Sequence, residues 1–281
     1  MAIVSFWSDS EKETGQTLAS VAIATLMAIN HNFKILEVAT GFKDRTVENC
    51  FWEQEKDDTL KDILGTRIRD VGMNNGIEGL VKVLQSNRTS TNVVADYAKV
   101  VFRERLDVLV APSTTHRDAY DSITQYYPEL VKIADKNYNI VFIDIDKRMK
   151  EEHKRAILQA SDAIVITFKQ GMDSLNEFDK LREKNPIFKM NRSLLLLGKY
   201  DRYSKYNTKN TSRYLKESRT ISAISYNTLF GEAASEGKVA DYFLKYRSLT
   251  DQTDKNVLFI QEAKKTCDNI LFKLKELQAK V

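Results

Sequence analysis

The chain has 281 residues, 42% of them hydrophobic and 29% charged, which is enough for one large α/β domain or two smaller ones. Its formal net charge of +4 is too small to indicate nucleic-acid binding by itself. The 2 cysteines, Cys50 and Cys267, stand apart from each other and from the 3 histidines, which excludes a disulfide framework and a zinc-type ligand spacing.

The chain begins with the pattern of a strand, a tight loop and a helix. The apolar run Ala2–Trp7 leads into the loop SDSEKETGQT at Ser8–Thr17, and Leu18–Ile29 continues with helical periodicity. Such a loop directs unpaired backbone amides and the positive end of the helix dipole at one point, which predicts an anion site. Its spacing S-x-x-x-x-G-Q-T, starting at Ser10, is that of a P-loop in which one glycine and the lysine are replaced.

A second apolar run, Phe33–Ala39, follows this helix, and strand, helix, strand is the parallel crossover unit. The polar and aromatic stretch Thr40–Thr66 predicts loops with one short helix. Gly76–Leu84 has apolar residues at helical spacing, which predicts an amphipathic helix.

Two further apolar runs, Val93–Val101 and Leu106–Ala111, flank a charged turn, and the second predicts a buried strand. Tyr120–Lys136 is predicted to be one helix. Tyr138–Ile145 is another continuous apolar strand, and Asp144 lies at its end.

The same alternation continues to the end of the chain. It predicts helices Glu151–Ala160 and Asp173–Glu183, strands Ala163–Phe168, Ser193–Leu197 and Thr220–Ser225, and further helices through to Val281. Continuous apolar strands that alternate with helices indicate an α/β fold with a doubly wound, mostly parallel sheet and helices on both faces. We expect a single domain over residues 1–281, with ligands beyond the carboxyl ends of the strands.

Four segments in the right order resemble the MinD/ParA family of deviant-P-loop ATPases. The family loop K-G-G-x-G-K-T corresponds to EKETGQT at residues 11–17, and YNIVFIDID at 138–146 is similar to the family strand that ends in the metal-site aspartate. ASDAIVITFKQGMDSL at 160–175 and TISAISYNTLFGEAASEGKVADYF at 220–243 match later family blocks. The FWS opening and the altered loop are most similar to the CpaE/TadZ branch, whose members serve pilus or secretion assembly at a defined place in the cell.

The resemblance implies a site for ATP and Mg²⁺ at the first loop. Its cofactor-binding residues would be Lys12, Thr14, Gly15, Gln16, Thr17 and Leu18, and its metal ligands would be Thr17 and Asp144. The residues themselves also suit a plainer reading. In that reading Gly15 and Thr17 form a turn and a helix cap, and Asp144 caps the turn after its strand.

Several positions depart from the family pattern where the ligand would lie. Uncharged Gln16 replaces the lysine that neutralises the phosphates, and Glu11 replaces the lysine that reaches the partner's nucleotide, although Lys12 stands beside it. Ala39 falls at the catalytic aspartate and Gly198 at the asparagine that reads the adenine edge. Loss of these groups predicts a degenerate Walker A loop and little or no ATPase activity.

The first functional hypothesis is therefore a localisation or scaffold factor for a pilus, secretion or other polar assembly, acting as a homodimer with its protein partners. The alternative is an ATP-dependent partition-type switch that dimerises and binds DNA non-specifically.

Two other segments leave alternatives open. Residues 199–219 combine basic and aromatic side chains, which suits either DNA or a solvated surface, with the surface favoured. Residues 256–281 form an amphipathic helix that suits a membrane or a partner, although packing on its own sheet is favoured. With neither an apolar run long enough to span a membrane nor a signal-peptide pattern, we expect a cytoplasmic protein. The resemblance to the CpaE/TadZ branch implies a peripheral location at the inner face of the membrane or at the cell pole.

Overall fold

Eight strands form one sheet in the structure, a computed structural model that describes residues 2–8, 13–53, 76–86 and 92–279. In chain order the strands are β1 (Ala2–Trp7), β2 (Ile35–Ala39), β3 (Lys99–Phe102), β4 (Leu106–Leu109), β5 (Ile140–Asp144), β6 (Ala163–Phe168), β7 (Ser193–Tyr200) and β8 (Ile221–Ser225). Their order in the sheet is β3-β4-β2-β5-β1-β6-β7-β8, and every pair is parallel except β3 with β4. The predicted doubly wound, mostly parallel sheet is confirmed.

Helices connect these strands. They are α1 (Gln16–Asn30), α2 (Thr46–Asn49), α3 (Ile77–Gln85), α4 (Val93–Tyr97), α5 (Arg117–Thr124), α6 (Tyr127–Ala134), α7 (Glu151–Ala160), α8 (Met172–Lys184), α9 (Thr208–Tyr214), α10 (Thr228–Ser235), α11 (Val239–Tyr246) and α12 (Lys255–Gln278), with a 3₁₀ turn at Pro186–Lys189. No helix among the described residues has the length and apolar character that crossing a bilayer requires.

The sheet is buried on both faces, which explains why its strands are apolar without interruption. One apolar layer joins the sheet to α1, α10, α11 and α12, and the other joins it to α3 through α8. Neighbouring strand residues divide between the layers because successive side chains point to opposite faces: Val4 and Phe6 lie in the first, and Ile3 and Trp7 lie in the second.

The helix expected at Tyr120–Lys136 is wrong as a single element, because α5 ends at Thr124 and α6 begins at Tyr127. The break has a local cause. Pro128 lies in the first turn of α6, and a proline there has no amide hydrogen to donate and would clash with the carbonyl four residues earlier.

Other boundaries also differ from the sequence prediction. The run Val93–Val101 divides into α4 and the edge strand β3. β7 continues past Leu197 to Tyr200 through an irregularity in its pairing with β8. The C-terminal segment packs as α12 on β8 and α1, with its apolar side in the core. Within Thr40–Thr66, where one short helix is predicted, the structure has α2. Residues 54–66 of this stretch lie outside the described part of the chain.

Candidate nucleotide-binding site

The loop after β1 ends at Gly15, and α1 begins at the next residue. Gly15 has a φ of +81°, a left-handed conformation that glycine adopts without a steric penalty. The first bond inside the helix runs from the Ala19 amide to the Gly15 carbonyl, and no side-chain hydrogen bond from the N-cap residue caps this end. The amides of residues 16–18 therefore have no acceptor within α1, as a helix N-terminus requires, and these residues line a cavity.

The Gln16 side chain is turned toward the end of β5. Its Nε2 donates to Asp144 Oδ1 at 2.7 Å and to the Ile145 carbonyl at 2.9 Å. An amide nitrogen carries two hydrogens, so both are used within the protein. At the position where the resemblance expects a phosphate-binding lysine, this chain has a neutral group that is already bonded to its own backbone and carboxylate.

Thr17 also bonds to Asp144. Its hydroxyl donates to Asp144 Oδ2 at 2.7 Å, so each carboxylate oxygen accepts one side-chain bond from the first turn of α1. Burial raises the pKa of Asp144 to about 6, and these two bonds offset the effect only in part. The expectation that the first loop and Asp144 meet at one edge of the sheet is confirmed.

The cavity at this edge has a volume of about 360 Å³. It is bounded by the ends of β1, β2, β5 and β7 together with the first turn of α1 and part of α2. Its lining residues are Ser8, Glu13, Thr14, Gly15, Gln16, Thr17, Leu18, Ala39, Gly41, Asp44, Thr46, Val47, Asp144, Ile145, Asp146, Lys147, Arg148 and Lys199. Four acidic and three basic side chains stand among them, so the described charged lining is nearly balanced.

The end of β7 packs directly on the loop. A Cβ atom at Gly198 would lie 2.1 Å from the Thr14 carbonyl oxygen, so residue 198 has no room for a side chain unless the loop moves. The resemblance expects an asparagine here that reads adenine. In this chain the absence of a side chain lets β7 approach the backbone of the loop instead.

The end of β2 is held by contacts within the protein. Tyr127 and Tyr120 donate their hydroxyls to the carbonyls of Ala39 and Thr40, at 3.0 and 2.7 Å. The Thr40 hydroxyl donates to the Asp144 carbonyl at 2.8 Å and so joins β2 to β5. These bonds fix the loop after β2 independently of any ligand.

Glu37 is a buried acid that the sequence pattern does not single out, and it lies beside Ser20, one helical turn along α1 from Gln16. Glu37, in the middle of β2, is completely buried and accepts a bond from the Ser20 hydroxyl at 2.6 Å on one oxygen, while its other oxygen has no partner among the described residues. Burial raises the pKa of Glu37 to about 8. The available signal was a glutamate inside the apolar run ILEVA.

The predicted site residues Thr14, Gly15, Gln16, Thr17, Leu18 and Asp144 all line this one cavity, while Lys12 lies outside the described residues. Backbone amides suit a phosphate. A metal ion would find the Thr17 hydroxyl and the Asp144 carboxylate, and the described residues contain no group of three or more His, Cys, Asp or Glu side chains arranged for a metal. The cavity therefore brings the Thr17 hydroxyl and the Asp144 carboxylate together beside backbone amides, with a neutral amide at Gln16 where the resemblance expects a lysine.

The basic tract at 199–219 is partly neutralised by its own protein. Lys199 pairs with Glu13, Arg202 lies 3.8 Å from Glu262, and Arg219 pairs with Glu217. These contacts include a carboxylate that is largely shielded from solvent, since only 7% of the Glu217 side chain is exposed. The tract is therefore less positive than its composition implies.

Comparison with known proteins places the fold. The sequence matches no protein-family model and none of the curated proteins compared with it. Solved structures do match. A ParA family ATPase from Chlorobium tepidum superposes with a TM-score of 0.68 over 97% of this chain and 98% of its own, at 14% identity. The chain has the ParA/MinD fold.

Two further ParA/MinD structures contain nucleotides. MinD from Pyrococcus horikoshii, complexed with Mg-ADP, matches with a TM-score of 0.63 at 14% identity, covering 97% of this chain and 98% of that one. A putative plasmid partition protein from Borrelia burgdorferi, bound to AMPPNP, matches with a TM-score of 0.59 at 14% identity, covering 99% and 98%. At this identity the likeness establishes the ParA/MinD fold alone.

Proposed function

We propose that this protein is a ParA/MinD-fold scaffold or localisation factor that binds nucleotide weakly and does not hydrolyse it. The observation that carries the proposal is the Gln16 amide, which is bonded to Asp144 and to the Ile145 carbonyl. Hydrogen bonds to a charged group contribute about 1.5–3 kcal/mol, so the loss of a phosphate-binding lysine weakens binding by about tenfold to a hundredfold.

The end of β2 supports the absence of hydrolysis. Ala39 lines the cavity and pairs with Asp144 across the sheet, and its methyl group stands where the resemblance expects the carboxylate that positions water. A methyl group neither accepts a proton nor orients a nucleophile. Glu37, two residues earlier, is not available for that role, because it is buried and bonded to Ser20.

The fixed loops support a constitutive role. Tyr120, Tyr127 and Thr40 hold the end of β2, and Arg148 binds Asp146 through Nη2 at 2.7 Å. A ligand shifts a conformational equilibrium only when it contacts two states differently, and contacts made without a ligand leave it less to change. Such a fold is suited to presenting the same surfaces with or without nucleotide.

We propose that these surfaces serve a homodimer and the components of a pilus, secretion or other polar assembly, as the resemblance to the CpaE/TadZ branch implies. The proposed location is the cytoplasm, at the inner face of the membrane or the cell pole. Sedimentation of the nucleotide-free protein tests the dimer. A monomer that dimerises only with ATP would contradict a constitutive scaffold.

Titration calorimetry with Mg·ATP and phosphate-release assays test the nucleotide site. We expect weak heats and no release above background for the wild type. Gln16→Lys is expected to tighten binding by about tenfold without restoring hydrolysis, since Ala39 is unchanged. Gln16→Met is the matched neutral control, which removes the amide and adds no charge. Phosphate release by the wild type that Asp144→Asn abolishes would overturn the proposal.

The alternative function is an ATP-dependent switch that binds DNA non-specifically. It is favoured by exposed Lys209, Arg213 and Lys216 on and after α9, for which no ion pair with a described residue is found. Binding to arbitrary duplex DNA that weakens with salt and strengthens with ATP would favour this function. No retention on DNA at low salt would remove this function, and retention unchanged by charge-neutralising substitution of these three residues would remove their assignment to it.

A further inference from the structure

One ion pair crosses the cavity between the first loop and the end of β7. Lys199 Nζ donates to Glu13 Oε2 at 2.8 Å, and both residues line the cavity. The two residues are 186 positions apart in the sequence, so the pair exists only because β7 packs on the loop.

The backbone and the first side-chain carbons of Lys199 are packed against the loop, while its ammonium group contacts an exposed partner. Its side-chain stem lies over Gly15, with Cγ 3.1 Å from where a Cβ of residue 15 would stand. The backbone of Lys199 has a φ of +50°, within the left-handed region that few residues other than glycine adopt. The Nζ, however, has an ion-pair partner whose side chain is 85% exposed.

The bond between these residues is readily exchanged. Exposed ion pairs contribute little because water and salt compete for both charges, and the bond to Lys199 lowers the pKa of Glu13, which keeps the carboxylate charged. Arg148, another cation of the lining, differs: it binds Asp146 through two nitrogens, and only 5% of the Asp146 side chain is exposed. Lys199 is thus better placed than Arg148 to turn to a ligand.

We propose that Lys199 is a ligand-binding cation of this cavity and that Glu13 is a built-in competitor for it. A diphosphate or triphosphate group would displace Glu13 and take its place on the Lys199 ammonium. This inference rests on the proposed weak phosphate-binding site, because it supplies from β7 the charge that Gln16 does not provide. Glu13 would then set the concentration of ligand at which the site fills.

Calorimetry of the full chain with inorganic pyrophosphate tests the competition, because pyrophosphate binding does not require the chain to hydrolyse ATP. Glu13→Gln is expected to tighten binding about threefold, the scale of an exposed pair, and Lys199→Met to weaken it about tenfold. In the double variant the gain from Glu13→Gln is expected to vanish. Lys199→Arg, which keeps the charge, is expected to retain most of the binding, and Lys180→Met, at an exposed position on α8, serves as a control away from the cavity.

The outcomes separate this inference from the proposed function. A Glu13→Gln gain that persists with Lys199→Met would mean simple charge repulsion and overturn the competition. The competition would also be overturned if the wild type and Lys199→Met bound pyrophosphate equally well, or if no variant bound it at millimolar concentration. The scaffold proposal would stand in both cases. Hydrolysis of ATP by the wild type would instead defeat the proposed function and leave the pyrophosphate comparison interpretable.

Discussion

Replacing Glu37 by glutamine should stabilise the protein at neutral and alkaline pH. Glu37 is completely buried in β2, and one of its oxygens has no partner among the described residues. Burial raises its pKa from 4.5 to about 8. Glutamine has the same shape, can accept the Ser20 bond through its carbonyl oxygen and has no charge to desolvate.

The sign and size follow from proton linkage. Between pH 4.5 and 8 the unfolded chain releases the Glu37 proton while the folded chain retains it, so the free energy of unfolding of the wild type falls as pH rises. Each pKa unit corresponds to about 1.4 kcal/mol, which gives an upper limit of about 5 kcal/mol across this window. A few kcal/mol is a large share of the stability of a typical domain.

Urea denaturation followed by circular dichroism between pH 4.5 and 8.5 measures this effect. The free energy of unfolding of Glu37→Gln should equal or fall slightly below that of the wild type at pH 4.5 and exceed it by several kcal/mol near pH 8. Glu232→Gln, at an exposed position on α10, is the control and should leave the pH profile unchanged. A difference that stays constant across the pH range would refute the reasoning.

Two further substitutions test the packing that builds the cavity. Gly198→Ala should destabilise the protein by about 1–3 kcal/mol, because the new Cβ would lie 2.1 Å from the Thr14 carbonyl oxygen, and thermal melting measures the loss. Gly231→Ala, where a Cβ meets nothing within 4 Å, is the matched control and should raise the melting temperature. Tyr127→Phe removes the bond to the buried Ala39 carbonyl and should lower the free energy of unfolding by about 1–3 kcal/mol in urea titrations; an unchanged value would mean that water replaces the hydroxyl.

The contacts of Asp144 show how this edge of the sheet is held together without a lysine at residue 16. Asp144 keeps two hydrogen bonds from the first turn of α1, so the helix stays attached to β5. The bonds come from an amide and a hydroxyl, which hold the carboxylate in place without supplying a positive charge. The attachment of α1 to β5 therefore depends on these hydrogen bonds and does not require a positive charge at residue 16.

The sequence by itself determined the architecture and the edge of the sheet where ligands would bind. Uninterrupted apolar strands such as Tyr138–Ile145 must be covered on both faces, and helices between them make the connections parallel. The carboxyl ends of parallel strands meet at one edge, which is why the loop before α1 and Asp144 could be placed together from their positions in the chain.

Only the tertiary structure decided what the side chains at that edge do. Three contacts at this edge join residues that are more than a hundred positions apart in the sequence. Gln16 is bonded to Asp144, Gly198 lies against Thr14, and Lys199 reaches Glu13. Periodicity reports which face of an element is apolar, whereas these contacts depend on which strands are neighbours and how closely their ends approach. The sheet order and the packing of β7 on the loop supply that information, and local sequence patterns do not carry it.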